Sequence, residues 1–200
     1  MPSFQARILL ITSEAVLIPQ SVRGAEYYTA APNGGFPDSI GRLIADLLDL
    51  GVDVHVAQPD YRRVFKNVSR TMESGIAVKI PTDRVHLTED RAFFYSDYPD
   101  SNHQWQNINI SLAFQREVIN HIIPEIYPDL LHCHDWMSGL IPAMAKKLKI
   151  PCLFTVQNPV SAKSFLSDIE DRGIDAAVFW QNLSTIGIPS ITKKPEKLIP

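Results

Sequence analysis

The chain has 200 residues, 45% of them apolar and 20% charged, with a formal net charge of −3. That composition is ordinary for a globular protein, and a chain of this length can bury a full core without staples. It argues against a nucleic-acid binder, because displacing counterions from phosphates needs a basic surface. Lys193, Lys194 and Lys197 cluster in a proline-bearing tail, which reads as a solvated linker.

The apolar run at residues 8–12 is too short for a signal peptide, and no stretch approaches the ~20 apolar residues of a membrane span. No membrane contact is expected. Cys133 and Cys152 are the two cysteines, each inside an apolar run. They read as buried free thiols in a reducing, cytoplasmic compartment, with a disulfide or metal pair left open.

In chain order, Arg7–Thr12 predicts a central parallel strand, apolar almost throughout. Residues 13–37 follow, too long for an ordinary strand-to-helix loop and therefore functional or mobile. From Asp38, apolar residues at Ile40, Leu43, Ile44, Leu47 and Leu48 predict an amphipathic helix that stops at Gly51. Val52, Val54 and Val56 alternate with Asp53 and His55 in a second strand, closed by Pro59. Strand, helix, strand in this order is a βαβ unit.

Residues 76–80, 85–87 and 93–95 read as short strands of a β-rich excursion. Residues 105–126 predict a long helix, ended or kinked by Pro124. Strand 129–133, helix 139–148 and strand 151–156 form a second βαβ unit. Residues 167–180 predict one more helix. The organisation is one Rossmann-like domain over residues 1–187, with a mainly parallel, doubly wound sheet and helices on both faces. Residues 188–200 form a linker or tail.

Ligands of such sheets bind outside the carboxyl ends of the strands. Ser13-Glu14, the Gly34-Gly35 pair before Asp38, the run His132-Cys133-His134-Asp135-Trp136 and Thr155–Asn158 all fall there. The glycine pair would let backbone approach an anionic ligand, or would simply be a turn. His132 and His134 alternate and so share one face of their strand. They fit a packed core, a sugar or phosphate contact, or, with Asp135, a metal site whose further ligand is not evident. Trp136 would stack on a sugar ring or anchor the packing. Arg23, Tyr27 and Tyr28 lie in the long first loop, within reach of a ligand if that loop closes.

Taken together, these segments resemble the glycogen and starch synthases. Residues 8–16 (ILLITSEAV) are similar to the family's opening strand. Residues 33–41 (NGGFPDSIG) resemble its Lys-Thr-Gly-Gly-Leu-Ala-Asp-Val-Ile-Gly motif. Residues 129–142 (DLLHCHDWMSGLIP) resemble its His-x-His-Asp-Trp-His-x-Gly-Leu-x-Pro element with the preceding Pro-Asp. Residues 151–158 (PCLFTVQN) resemble its Phe-Thr-x-His-Asn strand end, and Tyr98-Pro99-Asp100 is also similar to a family segment.

The resemblance implies one half of a GT-B glycosyltransferase, the N-terminal, acceptor-side half. Such enzymes transfer glucose with retention from a nucleotide sugar such as ADP-glucose to an α-1,4-glucan, with no metal and no cofactor. A C-terminal Rossmann-like domain would be the partner in the native protein. By position, His134 and Asp38 would act at the reacting sugar. Gly34 and Gly35 would approach the donor phosphates, Asp135 and Trp136 would shape the cleft wall, and Gln157 and Asn158 would line the acceptor side. The family's Lys is Pro32 here, its second His after Asp-Trp is Met137, and its His before Asn is Gln157. These exchanges motivate the alternative of a non-catalytic glucan- or sugar-nucleotide-binding module. This chain alone is expected to be inactive as a transferase.

Overall fold

Among the described residues five parallel strands form the main sheet, and the mostly apolar run of residues 7–12 lies at its centre. In the computed structural model, residues 6–14, 16–19, 26–29, 36–62, 77–94, 104–157 and 164–180 are described. Strand β1 (Arg7–Thr12) pairs in parallel with β4 (Asp53–Pro59) on one side and with β7 (Leu130–His134) on the other. Strand β6 (Val85–Thr88) flanks β4, and β8 (Cys152–Thr155) flanks β7. The order is β6-β4-β1-β7-β8. Successive strands run outward from β1 in one direction, and the chain then returns to build outward in the other. This is the Rossmann-like arrangement expected from the two βαβ patterns, and its switch point lies between β1 and β7.

The sheet separates two apolar layers. On one face, Leu10, Val54 and Val56 pack with Ile40 and Ile44 of helix α1 (Phe36–Asp49). On the other, Leu9, Ile11, Ala57, Leu131 and Cys133 pack with Ala113, Phe114 and Val118. Ala113 and Phe114 belong to a long helix, α3 (Gln104–Glu117). It continues through a π-helical turn (Val118–Ile122) into a last α-helical turn, Ile123–Ile126. Proline has no N–H to bond the preceding turn, so the widened turn just before Pro124 accommodates the predicted kink.

Helix α4 (Ile141–Leu148) links β7 to β8, and its Ile141, Met144 and Ala145 are buried in the same layer. Two short helices, α5 (Leu166–Asp171) and α6 (Ala177–Trp180), follow β8. The single helix expected over 167–180 is therefore broken, at Gly173 with φ +81°.

Part of the long first loop is itself structured. Strands β2 (Leu17–Pro19), β3 (Glu26–Thr29) and β5 (Ala77–Lys79) form a separate antiparallel sheet. Gln58, fully buried at the end of β4, fastens it. Its Oε1 accepts from the Leu17 N–H at 3.0 Å and its Nε2 donates to the Leu17 carbonyl at 2.7 Å. A side-chain amide here completes a strand backbone that would otherwise be buried without partners.

Three expectations need correction. Residues 85–88 join the main parallel sheet instead of a β-rich excursion. Phe93-Phe94 belong to a helical turn, α2 (Arg91–Phe94), because Asp90 caps it: Oδ1 accepts from the Ala92 N–H at 2.7 Å. Cys152 is only partly buried, since β8 is the last strand of the described sheet.

Candidate functional site

At the switch point the carboxyl ends of β1 and β7 lie side by side, with Thr12 opposite His134. Alternation puts His132 and His134 on the α1 face, in register with Leu10 and Thr12. The two rings come together as the sequence predicts, with centroids 4.1 Å apart. His132 Nε2 lies 2.9 Å from the Thr155 hydroxyl at the end of β8.

Both histidines are buried, and burial disfavours their charged forms. His132 is shifted down by desolvation. His134, at 3% exposure, is pushed down to about 4, by burial first and by the neighbouring His132 second. His134 is thus a neutral imidazole at physiological pH. It offers one ring N–H and one ring acceptor, a set that matches a hydroxyl group better than an anion.

Asp135 follows with φ 63° and ψ 173°. That region is essentially reserved for glycine, and a residue with a Cβ persists there only where its surroundings over-determine it. The surroundings are visible. The Asp135 N–H donates to the Thr155 carbonyl at 2.9 Å. The Ser138 hydroxyl lies 3.0 Å from the His134 carbonyl and 2.8 Å from that of Asp135. The turn Trp136–Ser138 then leads into α4.

The neighbouring loop after β1 is pinned from below. Tyr61, fully buried, donates its hydroxyl to the Ser13 carbonyl at 2.7 Å and stands edge-on to Phe93. The Glu14 N–H is held by Thr12 Oγ1 at 3.1 Å.

His134, Asp135 and Thr155 are brought together at the strand ends. Asp38 is buried in the first turn of α1, the helix that covers the face carrying His134. Trp136 is half-buried against the α3-side core, so packing accounts for part of its surface. Gln157 stands exposed beyond β8. Gly34, Gly35 and Asn158 lie outside the described residues, as do Arg23, Pro32 and residues 98–100, and of Tyr27 and Tyr28 only the backbone is described. Met137 is buried in the α3-side core. At that position this chain directs its side chain away from the face carrying His134. Among the described residues no group of three or more His, Cys, Asp or Glu side chains is placed to hold a metal ion.

Tyr61, Ser138, Ser111 and Gln115 were not singled out by sequence reasoning. An aromatic two residues past the end of β4 marks Tyr61. The i, i+4 spacing of Ser111 and Gln115 among the apolar residues of their helix marks that pair.

A five-stranded parallel sheet with a switch point of this kind defines a Rossmann-like α/β domain. Residues 22–176 match the family model of the starch synthase catalytic domain, and the chain belongs to that family. Among curated relatives, it is 26% identical to a glycogen synthase of Halalkalibacterium halodurans, over 68% of this chain and 33% of the relative. It is 26% identical to a glycogen synthase of Rhodopseudomonas palustris, over 82% of this chain and 36% of the relative. With glycogen synthase 2 of Geobacter metallireducens the figures are 25%, 78% and 38%. The chain thus spans about a third of the length of the curated relatives it matches. A solved glycosyltransferase from Streptomyces sp. SF2575 is similar over 98% of this chain and 49% of its own, at 19% identity and a TM-score of 0.41. No helix among the described residues is long and apolar enough to cross a membrane.

Proposed function

We propose that this domain is the acceptor-side half of a retaining glucosyltransferase that extends an α-1,4-glucan from a nucleotide sugar such as ADP-glucose. The observation that carries the reading is the His132–Trp136 turn at the switch point, inside a chain of the starch synthase family. No cofactor or metal is needed for this chemistry. The reacting carbon develops positive charge and the nucleotide leaves as an anion, so preorganised dipoles supply the stabilisation.

His134 contacts a hydroxyl of the transferred sugar in this reading. Being neutral, it accepts or donates a hydrogen bond without adding a positive charge beside the electron-poor centre. Asp38 is the acidic group of the same face, and Asp135 and Trp136 shape the wall. Gly34 and Gly35 lie toward the donor phosphates, and Gln157 and Asn158 toward the acceptor. In the structure His134 is enclosed, so ligand access costs the opening of that enclosure and binding by this chain alone is weak.

The complete protein carries a second Rossmann-like half across the cleft, in keeping with relatives of which this chain matches only about a third. This chain alone then has no transferase activity. Radiolabelled glucose incorporation into glycogen tests both statements. The complete protein incorporates label from ADP-glucose and residues 1–200 do not; label transferred by residues 1–200 contradicts the reading. The alternative, a non-catalytic glucan- or sugar-nucleotide-binding module, rests on Pro32, Met137 and Gln157, which stand where the family has a lysine and two histidines. A complete protein that binds maltooligosaccharide and transfers nothing would favour it.

A further inference from the structure

Ser111 and Gln115 are two polar side chains on the buried face of α3, at 5% and 2% exposure. Their neighbours on that helix, Leu112, Ala113, Phe114 and Val118, are core residues. A pair of apolar side chains would fill this space without desolvating an amide and a hydroxyl. Their partners explain why they are there. Gln115 Oε1 accepts from the Leu140 N–H at 2.6 Å, and Gln115 Nε2 donates to Ser111 Oγ at 2.8 Å. Ser111 Oγ in turn donates to the Met137 carbonyl at 3.1 Å. The hydroxyl has one hydrogen and two lone pairs, so accepting from Gln115 and donating to Met137 are compatible. The donor chain therefore runs one way, from amide to hydroxyl to carbonyl.

Both contacts fall on the segment that leaves the strained Asp135. Met137 and Leu140 bracket it, and Ser138 between them reaches back to the carbonyls of His134 and Asp135. We propose that Gln115 and Ser111 are positioning residues: they hold residues 137–140 so that Ser138 keeps the His134–Asp135 turn in its ligand-facing shape. They touch no substrate. The kinetic consequence rests on the proposed transferase function; the structural consequence does not.

The test compares Gln115→Leu, which removes the acceptor for Leu140, with Gln115→Glu, which keeps an acceptor oxygen there. Ser111→Ala serves as the milder lesion if Gln115→Leu does not fold. Amide hydrogen exchange on residues 1–200 is the first readout. In Gln115→Leu or Ser111→Ala the Asp135 and Leu140 amides exchange roughly tenfold faster, as expected for local opening, while β1 and β4 amides keep their protection. Gln115→Glu restores the rate at Leu140. Equal acceleration across all strands, or no change at the turn, overturns the proposal. In the complete protein the same lesion lowers kcat about tenfold or more, with the KM for donor within about twofold, because misplaced groups weaken the transition state selectively. A loosened turn with unchanged kcat also overturns it. If the wild-type complete protein transfers no glucose, the functional reading fails and the exchange data alone decide the role of this pair.

Discussion

The His132 and His134 rings lie 4.1 Å apart, tilted by 32°, on one face of β7, and each is buried as a neutral imidazole. Both must take up a proton when the chain unfolds in acid. For a histidine held below its ordinary value, the unfolded state binds more protons between the two values, so stability rises with pH across that window. The contribution from His134 is complete above about pH 6.5 and lost as pH falls toward 4. Its full size is about 3 kcal/mol for a shift of this extent. His55 and His86, whose Nδ1 and Nε2 meet at 3.0 Å near the opposite strand ends, are also shifted down, by burial first, and act in the same direction. Urea unfolding at pH 7 and pH 4.5 should show a clear loss at the lower pH, and His134→Gln should reduce it. Equal stability at both values would contradict this account.

Asp135 carries backbone strain of about 1–3 kcal/mol. Asp135→Ala and Asp135→Gly both delete the carboxylate, and only glycine relieves the strain. Asp135→Gly should therefore be more stable than Asp135→Ala by about 1 kcal/mol, the reverse of the usual order, in which glycine's larger chain entropy favours alanine. Calorimetric melting of the two variants decides it, and a higher melting temperature for alanine would count against a strained turn.

Tyr61→Phe removes one donor from the buried Ser13 carbonyl and leaves the ring packing with Phe93 in place. A cost of about 1–2 kcal/mol is expected from losing one buried hydrogen bond. Chemical denaturation reads it directly. A value near zero would show that Tyr61 serves the core alone.

Strand β8 exposes apolar side chains on both faces, with Leu153 at 51% and Phe154 at 36%, and Val156 just beyond at 63%. Among the described residues β8 is an edge strand, and such an edge is a template for pairing with other strands. Val156→Lys should raise the soluble concentration of this chain with little change in melting temperature. Sedimentation of wild type and variant at matched concentrations checks it, and identical behaviour would mean that the edge is inert.

Much of this was legible in the residues. The strands β1, β4 and β7 declared themselves by continuous or alternating apolar runs, and the shared face of His132 and His134 followed from a period of two. What escaped was set by contacts distant in sequence. Residues 93–94 look like a strand until Asp90 caps the turn before them. Residues 85–88 are a short apolar run, and only pairing with β4 assigns them to the main sheet. Gln115 reads as an ordinary polar helix residue, because its partner is 25 positions away. Met137 stands where the family has a histidine, and its side chain is buried in the α3-side core, which its position in the motif does not reveal.

Saccharide binding at the His134 turn is the central claim, and titration calorimetry with a maltooligosaccharide tests it most directly. Wild-type residues 1–200 should bind weakly, and His134→Ala should lose at least about tenfold in affinity, the ~1.4 kcal/mol expected for one well-placed hydrogen bond, while remaining folded by circular dichroism. Wild-type affinity in a folded His134→Ala, or no binding by the wild type at millimolar saccharide, would contradict the placement of the site.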